Sequence, residues 1–180
     1  MQPEESQYST RNESLTIMIL PPLLSIPLGA VLARKEISRS GWTRLHWTGV
    51  AVLAGERFAA GQARRQLLHD GEDGAQYLWD GLRLELYRDA AETYWYNLTG
   101  GQPALFIICS EEEGGELLPI AVTADHDQST SAVEADYKVF AVPIPPEVLP
   151  QIEEFVMTHF KPEPKRKRRR ENWSDGEQQH

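Results

Sequence analysis

The chain has 180 residues, 41% of them hydrophobic and 25% charged, which suffices for one domain with a proper core and leaves too little for two. Its formal net charge is -9, yet residues 161–180 hold seven of the 18 lysines and arginines and only four of the 27 acidic residues, leaving -12 on residues 1–160. So acidic a body repels phosphate backbones, which excludes general nucleic-acid binding except through the tail. The single cysteine, Cys109, excludes an internal disulfide and any all-cysteine metal site, and it fits a reducing cytoplasm.

The first apolar stretch, residues 15–33, is nearly long enough to span a bilayer. Pro21, Pro22 and Pro27 interrupt it, and each removes a helix hydrogen bond that lipid cannot replace. Residues 1–14 also lack the basic patch of a signal peptide. The expectation is a mobile extension over residues 1–25, with the first strand starting near Ile26 and Pro27 at its beginning, where proline is tolerated. GWTRLHWTGVAVLAG follows as a second strand punctuated by Gly41 and Gly55. Residues 56–74 read mostly as loop, with room for a short helix around residues 63–68.

LRLELYR is the clearest strand. Leu82, Leu84 and Leu86 alternate with Arg83, Glu85 and Tyr87, the mark of a half-buried antiparallel strand. TYWYNL and ALFIICS flank the turn TGGQP and are expected to pair as a hairpin. Three successive aromatics cannot all face inward from a strand, so either Trp95 or the Tyr94 and Tyr96 pair lies on the outer face, exposed or covered by a terminal segment. ALFIICS and LLPIAVTA form a second hairpin around SEEEGGE, and such local connections favour an antiparallel meander. Residues 129–137 make one or two helical turns, and KVFAVPIP is extended. PEVLPQIEEFVMTHF is an amphipathic helix with Val148, Ile152, Phe155, Val156 and Phe160 on one side. Pro150 falls in its first turn, where no donor is lost.

A search for chemistry finds little. The glycines mark turns and match no phosphate-binding loop or nucleophile elbow. Cys109 lies within LFIIC, where burial raises a thiol's pKa. Asp125, His126 and Asp127 read as a hydrated loop, since neighbouring side chains diverge and no second ligand stands at metal spacing. His46 and His159 read as packing or helix-end residues, and Glu111, Glu112 and Glu113 as a solvated turn. The sequon at Asn97 reads as coincidence without an export signal.

The series PLGAVLARKE, WTRLHWTGVAVLAG, LRLELYRDAAETYWYNL, PALFIIC, SAVEADYKVFAVPIPPEVLPQIEEFVMTHF and PEPKRKRR resembles an uncharacterised bacterial family. That family is a domain of unknown function encoded beside molybdenum-dependent formate dehydrogenases in proteobacteria. The resemblance runs in the same order over about residues 26–170. It implies a setting among genes for formate dehydrogenase subunits, a molybdoenzyme chaperone and an iron–sulfur protein. It carries over no catalytic residue, because the family has no agreed one, but the basic run matches the family's ending.

The fold expected is mainly β (α+β): an antiparallel bent sheet or small partly open barrel over residues 26–160, closed by the C-terminal amphipathic helix, with disordered termini. The function expected is that of a non-enzymatic accessory or adaptor protein for formate dehydrogenase maturation or operation, cytoplasmic, without metal, cofactor or catalytic residues. Its partner would be a formate dehydrogenase subunit or maturation factor rather than nucleic acid or membrane. The partner-binding residues are Lys165, Arg166, Lys167, Arg168, Arg169 and Arg170, in a basic tail over residues 161–180 held apart by Pro162 and Pro164. The competing class is a small β-barrel that grips nucleic acid through this arm. Attachment to a membrane surface and a solvated tail without a target are the remaining readings.

Overall fold

A computed structural model describes residues 21–59 and 64–162. Strand accounts for about half of these residues, arranged as a nearly closed mixed sheet, and three helices complete the fold. The tail residues Lys165 to Arg170 and the N-terminal extension up to residue 20 lie outside the described residues.

Strands β1 (Leu24–Arg39) and β2 (Trp42–Ala54) form a long hairpin. Its two-residue turn, Ser40 and Gly41, has φ of 52° and 84°, the backbone hand that matches the twist of the flanking strands. The first strand thus begins slightly before the expected point, and Pro27 lies inside it. Pro27 stands beyond the last β1–β2 pair, Leu28 with Ala54, while its carbonyl still accepts from the Gly55 N–H at 3.1 Å.

The expected loop over residues 56–74 contains strand β3 (Arg65–Gly71), which pairs with β4 (Gly74–Leu86) across a turn at Glu72 and Asp73. Leu82, Leu84 and Leu86 are buried as the alternation predicts. Upstream the inward parity changes, because Tyr77 and Trp79 join the same core as those leucines. The register against β1 slips between Leu28 and Ala30, opposite Asp80 and Gly81, and the Gly81 φ of 80° permits the bulge. Leu78 faces the other way and meets Val31 and Phe58 in a small outer cluster.

The structure corrects the expected first hairpin. TYWYNL is not a strand but lies in helix α1 (Ala91–Thr99). Successive side chains therefore diverge by about 100° rather than alternating. Tyr94 is buried, Trp95 packs on Phe160, and Tyr96 is exposed. Asn97 fixes the helix, its amide donating to the carbonyls of Ala104 (2.7 Å) and Ala124 (2.8 Å) while its oxygen accepts from the Ala104 N–H.

The second expected hairpin is present as β5 (Ala104–Glu111) and β6 (Leu117–Thr123). Because α1 carries the chain across, β6 rather than β5 meets β4, and they run parallel at Leu84 and Val122. The sheet is therefore mixed rather than a simple antiparallel meander. Helix α2 (His126–Glu134) starts on the Asp125 side chain, which accepts from the Asp127 and Gln128 N–H groups, and β7 (Lys138–Pro143) then pairs with β5.

The resulting path is β2-β1-β4-β6-β5-β7, with β3 beside β4. Its two ends approach at Gly49, where an added Cβ would stand 2.6 Å from the Cβ of Phe140. No ladder joins β2 to β7 among the described residues, so this approach is the barrel's seam. Helix α3 (Leu149–His159) has Pro150 in its first turn and buries Ile152, Phe155 and Val156. Its main neighbouring element is α1, through Tyr94 against Phe155 with ring centroids 6.1 Å apart.

Candidate interaction surface

Of the residues singled out for chemistry, Cys109, Asp125 and His159 take structural roles, while His46, expected to pack, is exposed on β2. Cys109 is fully buried, and burial pushes its thiol up to about 12. Asp125 caps α2, leaving His126 and Asp127 exposed on the helix. His159 lies against the Phe155 ring with centroids 4.5 Å apart. Glu111 is exposed and pairs with Lys138 at 3.4 Å. No group of three metal-ligating side chains occurs among the described residues, and no described helix is long and apolar enough to cross a membrane.

Two arginines not singled out by the sequence organise one end of the barrel. Trp47, Tyr77 and Trp79 form a triangle with ring centroids about 6 Å apart. The Arg65 guanidinium lies 3.8 Å from the Tyr77 ring centroid, and Arg34 stands 5.3 Å from the same ring. Both arginines donate to Glu116, Arg34 to Oε1 and Arg65 to Oε2 at 3.0 Å. The Trp47 indole donates to the Gly115 carbonyl at 3.0 Å. Guanidinium groups over aromatic rings and one shared carboxylate tie β1, β3 and the β5–β6 turn together.

Beyond that knot the first hairpin leaves the body. The last pair between β1 and β4 is Arg34 with Ala75, whereas β1 and β2 stay paired out to Arg39 and Trp42. Residues 35–46 are thus a two-stranded ribbon held by its own ladder, and all but Leu45 are exposed. Directly paired residues share a face, and faces alternate along a strand. Lys35 with His46, Ile37 with Arg44, and Arg39 with Trp42 therefore lie on one face. Glu36 with Leu45 and Ser38 with Thr43 lie on the other, where the two hydroxyls are 3.1 Å apart. Trp42, at the tip, is 83% exposed.

The ribbon's outer edge borders a cleft of about 510 Å³ where the seam opens. Arg44, His46 and Trp47 form one wall, and Glu111, Lys138 and Phe140 the other. The cleft is lined by polar and apolar side chains in nearly equal measure and runs along the ribbon's outer edge.

A family model described as "Protein of unknown function (DUF3305)" matches residues 27–169. The chain belongs to the DUF3305 family. No curated protein and no solved structure matches it. The DUF3305 match takes in the ribbon, the aromatic knot and the seam, and extends through five of the six consecutive basic residues. Within this DUF3305 chain, the described cationic surface is the ribbon, a second positive element on an acidic body. Lys35, Arg39 and Arg44 fall within ten residues of the sequence, and the hairpin register sets them on one face.

Proposed function

We propose that this DUF3305 protein is a non-enzymatic accessory or adaptor protein that works in the cytoplasm by protein–protein binding, in the maturation or operation of formate dehydrogenase. The observation that carries the binding role is the ribbon. A hairpin extended beyond its supporting sheet, ending in an exposed tryptophan, serves recognition better than it serves a core, since aromatic and arginine side chains dominate binding hot spots. The formate dehydrogenase setting comes from the resemblance of the sequence to a family encoded beside that enzyme. The basic residues Lys165 to Arg170 supply a second contact for an acidic partner surface, the guanidinium groups of the four arginines suited to paired hydrogen bonds with carboxylates.

The test is formate dehydrogenase activity in cells lacking the chain, and in cells carrying it without residues 161–180. Loss of activity without the chain is the expected result, with a partial loss on tail removal. Unchanged activity in the absence of the chain overturns the proposal, and unchanged activity on tail removal overturns the tail's part in it.

A further inference from the structure

We infer that the ribbon face of Lys35, Ile37, Arg39, Trp42, Arg44 and His46 is a docking surface for an acidic protein segment bearing carboxylates beside apolar side chains. This rests on the adaptor reading and gives it a site and a partner chemistry.

The face is built in three rows by the β1–β2 register, successive same-face rows along a strand being roughly 7 Å apart. The base row pairs Lys35 with His46, the middle row Ile37 with Arg44, and the tip row Arg39 with Trp42. A cation stands in every row. The middle and tip rows each set an exposed apolar side chain beside it, Ile37 at 48% and Trp42 at 83% exposure. None of the three cations has an ion-pair partner among the described residues, in contrast to Arg34, Arg65 and Lys138. Glu36, the ribbon's one acidic residue, points from the opposite face. Docking a carboxylate-bearing segment here removes the Trp42 ring from water and satisfies the cations in the same step.

The surrounding charge selects the class of partner. Residues 1–160 carry -12 in all, so a long polyanion lying across the ribbon would continue over a repelling body. A short acidic segment meets only the arm. The apolar member of each of the outer two rows also suits leucine or phenylalanine between carboxylates better than a sugar–phosphate chain. The Arg34 and Arg65 knot anchors the base from which the arm extends.

The full chain, labelled for NMR, is titrated with a short synthetic peptide rich in glutamate, leucine and phenylalanine. Parallel titrations use the same peptide with glutamine for glutamate, single-stranded RNA and anionic vesicles. The expected result is perturbation of the ribbon amides and the Trp42 indole by the acidic peptide, weakened by added salt and by the glutamine exchange. Trp42→Ala and the combined Lys35→Glu, Arg39→Glu and Arg44→Glu variant should each weaken binding roughly tenfold or more. Both leave the buried core intact, which an unchanged thermal midpoint checks. Undiminished affinity in both variants overturns the inference, as does perturbation confined to other residues or engagement of the ribbon by RNA or vesicles without the peptide. Complementation separates the two readings. A charge-reversed ribbon that restores full formate dehydrogenase activity to deficient cells refutes the ribbon assignment alone. Peptide binding at the ribbon together with unchanged activity in cells lacking the chain refutes the formate dehydrogenase reading alone.

Discussion

At the scale of single residues, buried polar groups and missing side chains decide more than the sequence discloses. Asn97 was legible only as the start of a sequon, but its amide joins the start of β5 to the end of β6 through three hydrogen bonds. Asn97→Ala leaves two carbonyls and an amide without that partner, and is expected to cost about 2 kcal/mol in urea unfolding. Gly49 is the residue that lets the barrel's edges meet. Gly49→Val is expected to destabilise by about 2 kcal/mol through overpacking on the Phe140 Cβ and on Val142, and adding Phe140→Ala should recover little of the loss, because alanine keeps the Cβ that the new side chain meets. The fate of Cys109, by contrast, was readable from its apolar neighbours. Burial raises its thiol to about 12 from 9.0, and burial also raises the Tyr94 hydroxyl to about 12 from 10.0, against the opposing effect of the Tyr87 N–H that donates to it. Both groups stay neutral in the folded chain where the unfolded chain ionises. Their contribution to stability is complete below the unfolded values and is lost as pH rises above about 9 toward 12. Denaturant midpoints measured in mildly and strongly alkaline buffer should therefore fall with pH, and Cys109→Ala and Tyr94→Phe should each flatten the fall.

At the scale of elements, periodicity was reliable where one face meets the core and failed where tertiary contacts override propensity. The alternation of Leu82, Leu84 and Leu86 marked the second half of β4, but the bulge at Asp80 and Gly81 reverses parity and hid its first half. The aromatic run at Tyr94 to Tyr96 favours a strand on propensity alone. It is helical because Tyr94 packs on Phe155, Trp95 on Phe160, and Asn97 ties the helix down. β3 escaped detection because all seven of its residues are exposed, so no buried face imposes a period on its sequence. The ribbon was half legible. Its strands and Gly41 turn were readable, whereas its extension past the partner strand depends on where β4 begins, a fact of registration between distant segments. In hydrogen exchange the ribbon amides of residues 36–45 should exchange much faster than those of Leu82 to Leu86 in the centre of the sheet. Glu116→Ala, which removes the acceptor shared by Arg34 and Arg65, should speed exchange in β3 with little change at α3.

At the scale of the whole molecule, one core running from Ile26 to Val156 supports a surface whose charge is segregated. The acidic composition of the body and the basic run at residues 165–170 were plain in the sequence. The second cationic element was not, because the register of two strands decides that Lys35, Arg39 and Arg44 share one face while Glu36 lies on the other. That segregation is the basis of the adaptor account: the body holds the arm, and the arm meets an acidic partner. The most direct measurement is affinity capture of the tagged chain from formate-grown cells, followed by mass spectrometry, beside the Lys35→Glu, Arg39→Glu, Arg44→Glu variant at equal abundance. The account predicts that a formate dehydrogenase subunit or maturation factor is recovered with the native chain and lost with the variant. Equal recovery with both, or no recovery above an untagged control, would contradict it.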